Sequence, residues 1–79
     1  MNKFDALKQY KMDGLLPNIE IWISKEVWLQ PTPNTRIFNN DKGYIMITDV
    51  FFHSSSEPID RIFLNRYVMH INEIKSIEL

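Results

Sequence analysis

Between residues 18 and 30 the chain alternates between apolar and other positions. Ile19, Ile21 and Ile23 are separated by Glu20 and Trp22 and followed by Ser24, and after an interruption at Lys25-Glu26, Val27 and Leu29 alternate with Trp28 and Gln30. Period two marks a strand with one buried face. This stretch reads either as a hairpin with a tight connection or as one long strand with a bulge, and Lys-Glu, poor chemistry for a two-residue hairpin turn, favours the bulge or bend. Ahead of it, Phe4, Leu7 and Tyr10 recur at three-residue spacing with Lys3, Lys8 and Lys11 off that stripe. That spacing predicts an amphipathic helix over 2–13. Asn2 can cap it, Asp5 meets the positive end of its dipole, and Gly14 and Pro17 stop it. About three turns cannot stand alone in water, so the helix must dock.

Farther along, Pro31-Thr32-Pro33-Asn34 reads as a loop because neither proline can donate to a ladder. A short strand over 35–38, a turn over 39–43 closed by Gly43, and a long strand over 44–52 follow. In that long strand both parities are apolar: Ile45, Ile47 and Phe51 on one, Tyr44, Met46, Val50 and Phe52 on the other. Such a strand is central, or its second face meets the helix or another subunit. Asp49 marks a bend. Residues 53–58 read as a polar loop, 59–64 and 67–71 as a hairpin across Asn65-Arg66, and 74–79 as a last strand or a helical turn followed by one.

Connections this short join antiparallel strands. The predicted fold is therefore mainly β, of the α+β kind. It has an N-terminal helix, then five or six bent antiparallel strands closing into a small barrel or roll, within a single domain over 1–79.

Composition narrows the function classes. The 79 residues are 44% hydrophobic and 24% charged, with a formal net charge of -1. A globular domain fits; disorder does not. Near-neutral charge weakens bulk-charge binding to nucleic acid or anionic lipid. No cysteine is present, which removes disulfides and thiolate metal clusters. Asp5, Lys8, Gln9, Lys11 and Asp13 interrupt the first fifteen positions, and no apolar run approaches a spanning helix, so the expected address is cytoplasmic with no membrane partner.

The layout of one helix and five bent strands is similar to that of Sm-like barrels, a kind of SH3-like small β-barrel that includes the bacterial Sm-like RNA chaperone. The segment Val68-Met69-His70-Ile71-Asn72-Glu73-Ile74-Lys75-Ser76-Ile77 resembles that family's last two strands and the turn between them, and the helix leading into Ile19–Ile23 resembles its beginning. The resemblance implies rings built by pairing edge strands and single-stranded RNA bound at the pore. The chain departs from the family pattern in lacking the second-strand glycine and in carrying Met69-His70 where the bacterial family has a lysine–histidine pair. That removes the RNA-contacting lysine.

Candidate chemistry is thin. Asp49, His53 and Ser54-Ser55-Ser56 supply the ingredients of a nucleophilic triad, but an acyl-transfer site needs an oxyanion pocket walled by a larger scaffold. His53 and His70 are too far apart in sequence for a compact metal spacing. The expectation is no catalytic residue, no metal and no cofactor. Lys42-Gly43-Tyr44 echoes an RNA-recognition signature, but Ile45 and Asp49 break it. Basic and aromatic residues interleave at Lys42, Arg61, Arg66 and Tyr67, a set that could stack and neutralise single-stranded RNA. Trp22 points away from an isoleucine-lined core, and Trp is enriched where proteins meet. Trp22, Trp28, Tyr44, Met46 and Phe52 are the expected protein interface. The sequence thus points to a small non-enzymatic interaction module, a homo-oligomeric adaptor or regulator that also meets a protein partner. A single-stranded RNA-binding Sm-like regulator is the alternative.

Overall fold

In a computed structural model, which describes residues 2–55 and 60–79, one helix precedes six strands of a single curled antiparallel sheet, a half-barrel. The helix α1 runs Lys3–Met12. Asn2 Oδ1 accepts from the Asp5 N–H at 2.8 Å, and Gly14 follows at φ +72. Leu7 is fully buried, and Phe4 and Tyr10 pack against the core beside it. Lys3 Nζ donates to the Ile74 carbonyl and Lys11 Nζ to that of Thr35, so off-stripe lysines also tie the helix to the sheet.

A 3-10 turn over Leu16–Asn18 leads into β1 (Glu20–Trp22). The next strand, β2 (Val27–Pro31), pairs back on β1 with Ile21 opposite Leu29 and Trp22 opposite Trp28. Residues 19–30 are therefore a hairpin and not one bent strand. Lys25-Glu26 lies inside a wider loop in which the Ile23 and Ser24 N–H groups both donate to the Val27 carbonyl, so no primed two-residue turn is needed. Pro31 closes β2 opposite Val50 instead of starting the loop; a terminal strand residue can do without its N–H.

After β3 (Ile37–Asn39), β4 (Tyr44–Ser54) is the spine of the sheet. One edge of it pairs with β3 through Ile45–Ile47 and with β2 through Val50–Ser54, while its other edge pairs with β5 (Asp60–His70). Residues 53–54 thus extend a strand where a polar loop was expected, and 56–59 lie outside the described residues. Asn65-Arg66 makes no hairpin turn either. It sits inside β5, continuous from Asp60 to His70, because the long β4 offers partners on both sides of that dipeptide. A 3-10 turn over Ile71–Glu73 then leads to β6 (Ser76–Glu78), which pairs with β1.

Asp49 sits at φ 54, the left-handed region that a non-glycine residue rarely occupies. Its carbonyl accepts from the hydroxyls of Thr32 and Thr35, each at 2.8 Å, and Thr35 is fully buried. The consequence is a change of parity. Ile45 and Ile47 face the core before the bend, Val50 and Phe52 after it, and Phe51 turns outward. The core also contains Leu16, Ile19, Ile21, Leu29, Met69 and Ile74.

Thr35→Val should lower stability by about 1–3 kcal/mol, since an isosteric side chain removes one grip on the Asp49 carbonyl and takes away the Thr35 Oγ1 that accepts from the Thr32 N–H. Asp49→Gly should leave the melting temperature unchanged or raise it, because glycine adopts the same backbone without strain. Thermal denaturation of the two variants reads both signs.

Candidate functional interface

The outward face of the sheet carries a row of side chains in direct register across five strands: Ser76 on β6, Trp22 on β1, Trp28 on β2, His53 on β4 and Arg61 on β5. Trp22 stacks on Trp28 with ring centroids 4.6 Å apart, and Trp28 stacks on His53 at 4.8 Å with the planes only 6° apart. Hydrogen bonds hold the ends of this stack. Trp22 Nε1–H donates to Glu20 Oε1 at 3.1 Å, and His53 Nε2 lies 3.0 Å from Gln30 Oε1. One strand position away, the Arg61 guanidinium covers the Phe51 ring at 4.6 Å, and Phe51 meets Phe63 edge to face at 5.3 Å. The face is a half-buried aromatic platform.

Burial and the neighbouring Arg61 hold the His53 imidazole below its ordinary value of 6.5, with Glu20 pulling the other way. Tyr67 is shifted up by burial and by Glu73.

Among the five expected interface residues, Trp22 and Trp28 form the platform's centre. Tyr44 and Met46 also face outward, at the far end of β4, where Tyr44 meets the edge of His70 at 5.1 Å. Phe52 faces inward against the core and Tyr67, because the Asp49 bend gives its outward place to Phe51. Outward apolar exposure on β5 is instead greatest at Val68, 62% exposed and opposite Met46, while Ile62, opposite the inward Phe52, is 57% exposed on the other face. Restarting the alternation after Asp49 would have found Phe51 and His53 in the sequence; nothing short of the β4–β5 register could have found Val68.

The four residues expected to grip RNA do not form one patch. Arg61 and Arg66 are five residues apart on β5, about 16 Å at strand rise. Lys42 stands in the β3–β4 turn, beside the His70 end of the ladder, and Tyr67 packs against the core. Asp49 and His53 are separated by the bend, and His70 is engaged as the cap of its 3-10 turn, its Nδ1 accepting from the Asn72 N–H at 3.1 Å. Among the described residues no group of three or more His, Asp or Glu could hold a metal ion, and no helix is long and apolar enough to cross a membrane. No protein family, curated protein or solved structure matches this chain.

The depressed His53 value means the folded state favours the neutral ring. Stability should be fully present above pH 6.5 and fall as acid protonates the unfolded chain first. His53→Gln should flatten that part of the curve, read as the difference in urea midpoint between pH 7.5 and 5.5.

Proposed function

We propose that this protein is a non-enzymatic interaction module that works as a homo-oligomer, with copies joined head to tail through the two ends of the sheet. The carrying observation is the complementarity of those ends. Among the described residues β5 pairs with β4 alone and β6 with β1 alone, so each offers an unpaired edge. On β6, Glu78 stands directly opposite Glu20, a like-charge pair that destabilises a sheet on its own. Next to it Ser76 is too small to cover Trp22, and a groove lined by Trp22, Lys25, Lys75, Ser76 and Glu78 opens there. On β5, Arg66 and Val68 are exposed on either side of the inward-facing Tyr67.

One antiparallel register satisfies all of these at once. With Arg66 of one copy set against Glu78 of the next, Tyr67 falls opposite Ile77 and Val68 opposite Ser76. Cation then meets anion, inward residue meets inward residue, and the exposed valine fills the groove beside Trp22. A head-to-tail contact of this kind closes into a ring when its rotation permits. The Sm-like likeness of the layout supports the same reading, as does the enrichment of Trp and Arg in interfaces. The platform around Trp28 and Phe51 is left to meet a further protein.

Size-exclusion chromatography with light scattering should give a discrete mass above that of one 9.5 kDa chain. Val68→Lys should reduce it to monomer with the β-rich circular dichroism intact. Arg66→Glu should do the same, and adding Glu78→Arg to it should restore assembly. A strict monomer at micromolar concentration sinks the proposal. Submicromolar, salt-sensitive binding of single-stranded RNA, lost on removing Arg61 and Arg66 together, would favour the RNA-binding alternative instead.

A further inference from the structure

The sheet has a third unpaired edge, and the helix walls it. Among the described residues β3 pairs with β4 alone. On either side of Phe38, the Thr48 N–H donates to the Arg36 carbonyl and the Asn40 N–H to that of Tyr44. Hydrogen-bonded positions alternate along an antiparallel ladder, so Ile37 and Asn39 turn their N–H and C=O groups away from β4. Those groups open into a groove of about 480 Å³ between the strand and α1. It is lined by Phe4, Lys8, Lys11 and Met12 on one side and by Ile37, Phe38 and Asn39 on the other. Helix and strand run in opposite directions here: Lys11 reaches the Thr35 carbonyl just before β3, and Phe4 lines a smaller cavity with Asn39 and Gly43 just after it. From Phe4 to Met12 the helical wall is about 12 Å long, enough for about four residues of extended chain. Met12 is 78% exposed and Phe38 48%. The charge of the groove has one sign. No carboxylate lines it, Lys8 Nζ lies 5.6 Å over the Phe4 ring, and Lys11 is held by a carbonyl, so among the described residues neither ammonium meets an anion.

We infer that this groove takes a short extended segment of a partner protein, added to β3 as a further antiparallel strand, with an apolar residue opposite Ile37 and Asp or Glu two positions away. Ile37 and Asn39 each exchange two hydrogen bonds with such a strand. Residues two apart share a face, so both side chains meet the helix, the apolar one between Ile37 and Met12 and the carboxylate beside Lys8. A lone strand fits where a second sheet does not, because α1 stands over the edge. That separates this edge from β5 and β6, and the inference does not depend on how copies associate. A nucleic acid would use the lysines and the exposed Phe38 ring but leave the edge N–H and C=O groups of β3 without partners.

The test uses the full chain and three fluorescein-labelled probes: the peptide Thr-Glu-Thr-Val-Thr-Glu-Thr, the same peptide with lysine in place of glutamate, and oligouridylate. Fluorescence anisotropy should give the acidic peptide a dissociation constant below about 1 mM and show no binding of the other two in that range. Lys8→Glu, at an exposed position where glutamate is as good a helix former, should weaken the acidic peptide at least about tenfold while the melting temperature holds. Methylating the valine nitrogen of the peptide should weaken it as well, since that N–H is the one aimed at the Ile37 carbonyl. Amide hydrogen exchange should slow at Ile37 and Asn39 when the acidic peptide is added. No binding of that peptide, equal binding of oligouridylate, or wild-type binding by Lys8→Glu overturns the inference. Ile37 and Asn39 amides already protected without peptide would show a second copy on this edge, and overturn it too. A strictly monomeric chain that binds the acidic peptide as expected overturns the assembly through β5 and β6 and leaves this inference standing.

Discussion

The grip of two threonine hydroxyls on one backbone carbonyl is the constraint from which the rest of this sheet follows. Thr32 and Thr35 both bond to Asp49, whose residue holds a left-handed conformation that costs of order 1–3 kcal/mol elsewhere. The bend they secure lets one strand serve two partners along a single edge, β3 before it and β2 after it. Without it, β4 would run straight, and either Ile45 and Ile47 or Val50 and Phe52 would face water. The same turn that brings Thr35 into place gives its carbonyl to Lys11, so the helix is docked at the node that bends the sheet.

The outward platform is a consequence of that bend. Phe51 and His53 reach the solvent face only because parity reverses at Asp49, and there they meet Trp28 of β2 and Arg61 of β5. In the stack from Trp22 to His53, Trp22 Nε1 and His53 Nε2 are used in holding rings in place. On the proposed reading, aromatic side chains held by stacking and hydrogen bonds before contact would lose little entropy when another surface arrives. The exposed valine, the opposed glutamates and the small serine sit at the two edges, where a second copy would reach them.

Much of this was legible in the chain itself. The helix, its cap at Asn2, its stop at Gly14, the alternating isoleucines of β1, the bend at Asp49 and the final short strand all come from local chemistry: capping, left-handed backbone and period-two burial act within a few residues. The hairpin of β1 and β2, the inward turn of Phe52, the strand identity of His53 and the unbroken course of β5 through Asn65-Arg66 were not legible. Each depends on pairing between residues far apart in sequence. Lys25-Glu26 looks like a poor turn until a wider loop supplies the hydrogen bonds, and Asn65-Arg66 looks like a turn until β4 supplies partners on both sides of it.

The sequence by itself determined the helix and the central stretches of most strands, that the fold is mainly β, and that an indole would point out of the core. Those follow from side-chain periodicity, which a chain carries locally. The tertiary structure alone decided register: which ring stacks on Trp22, which cation faces His53, and which residues stand at the unpaired edges. Register is set by hydrogen bonds between strands whose partners lie up to tens of residues apart, and a single bend at Asp49 is enough to exchange the two faces of everything that follows.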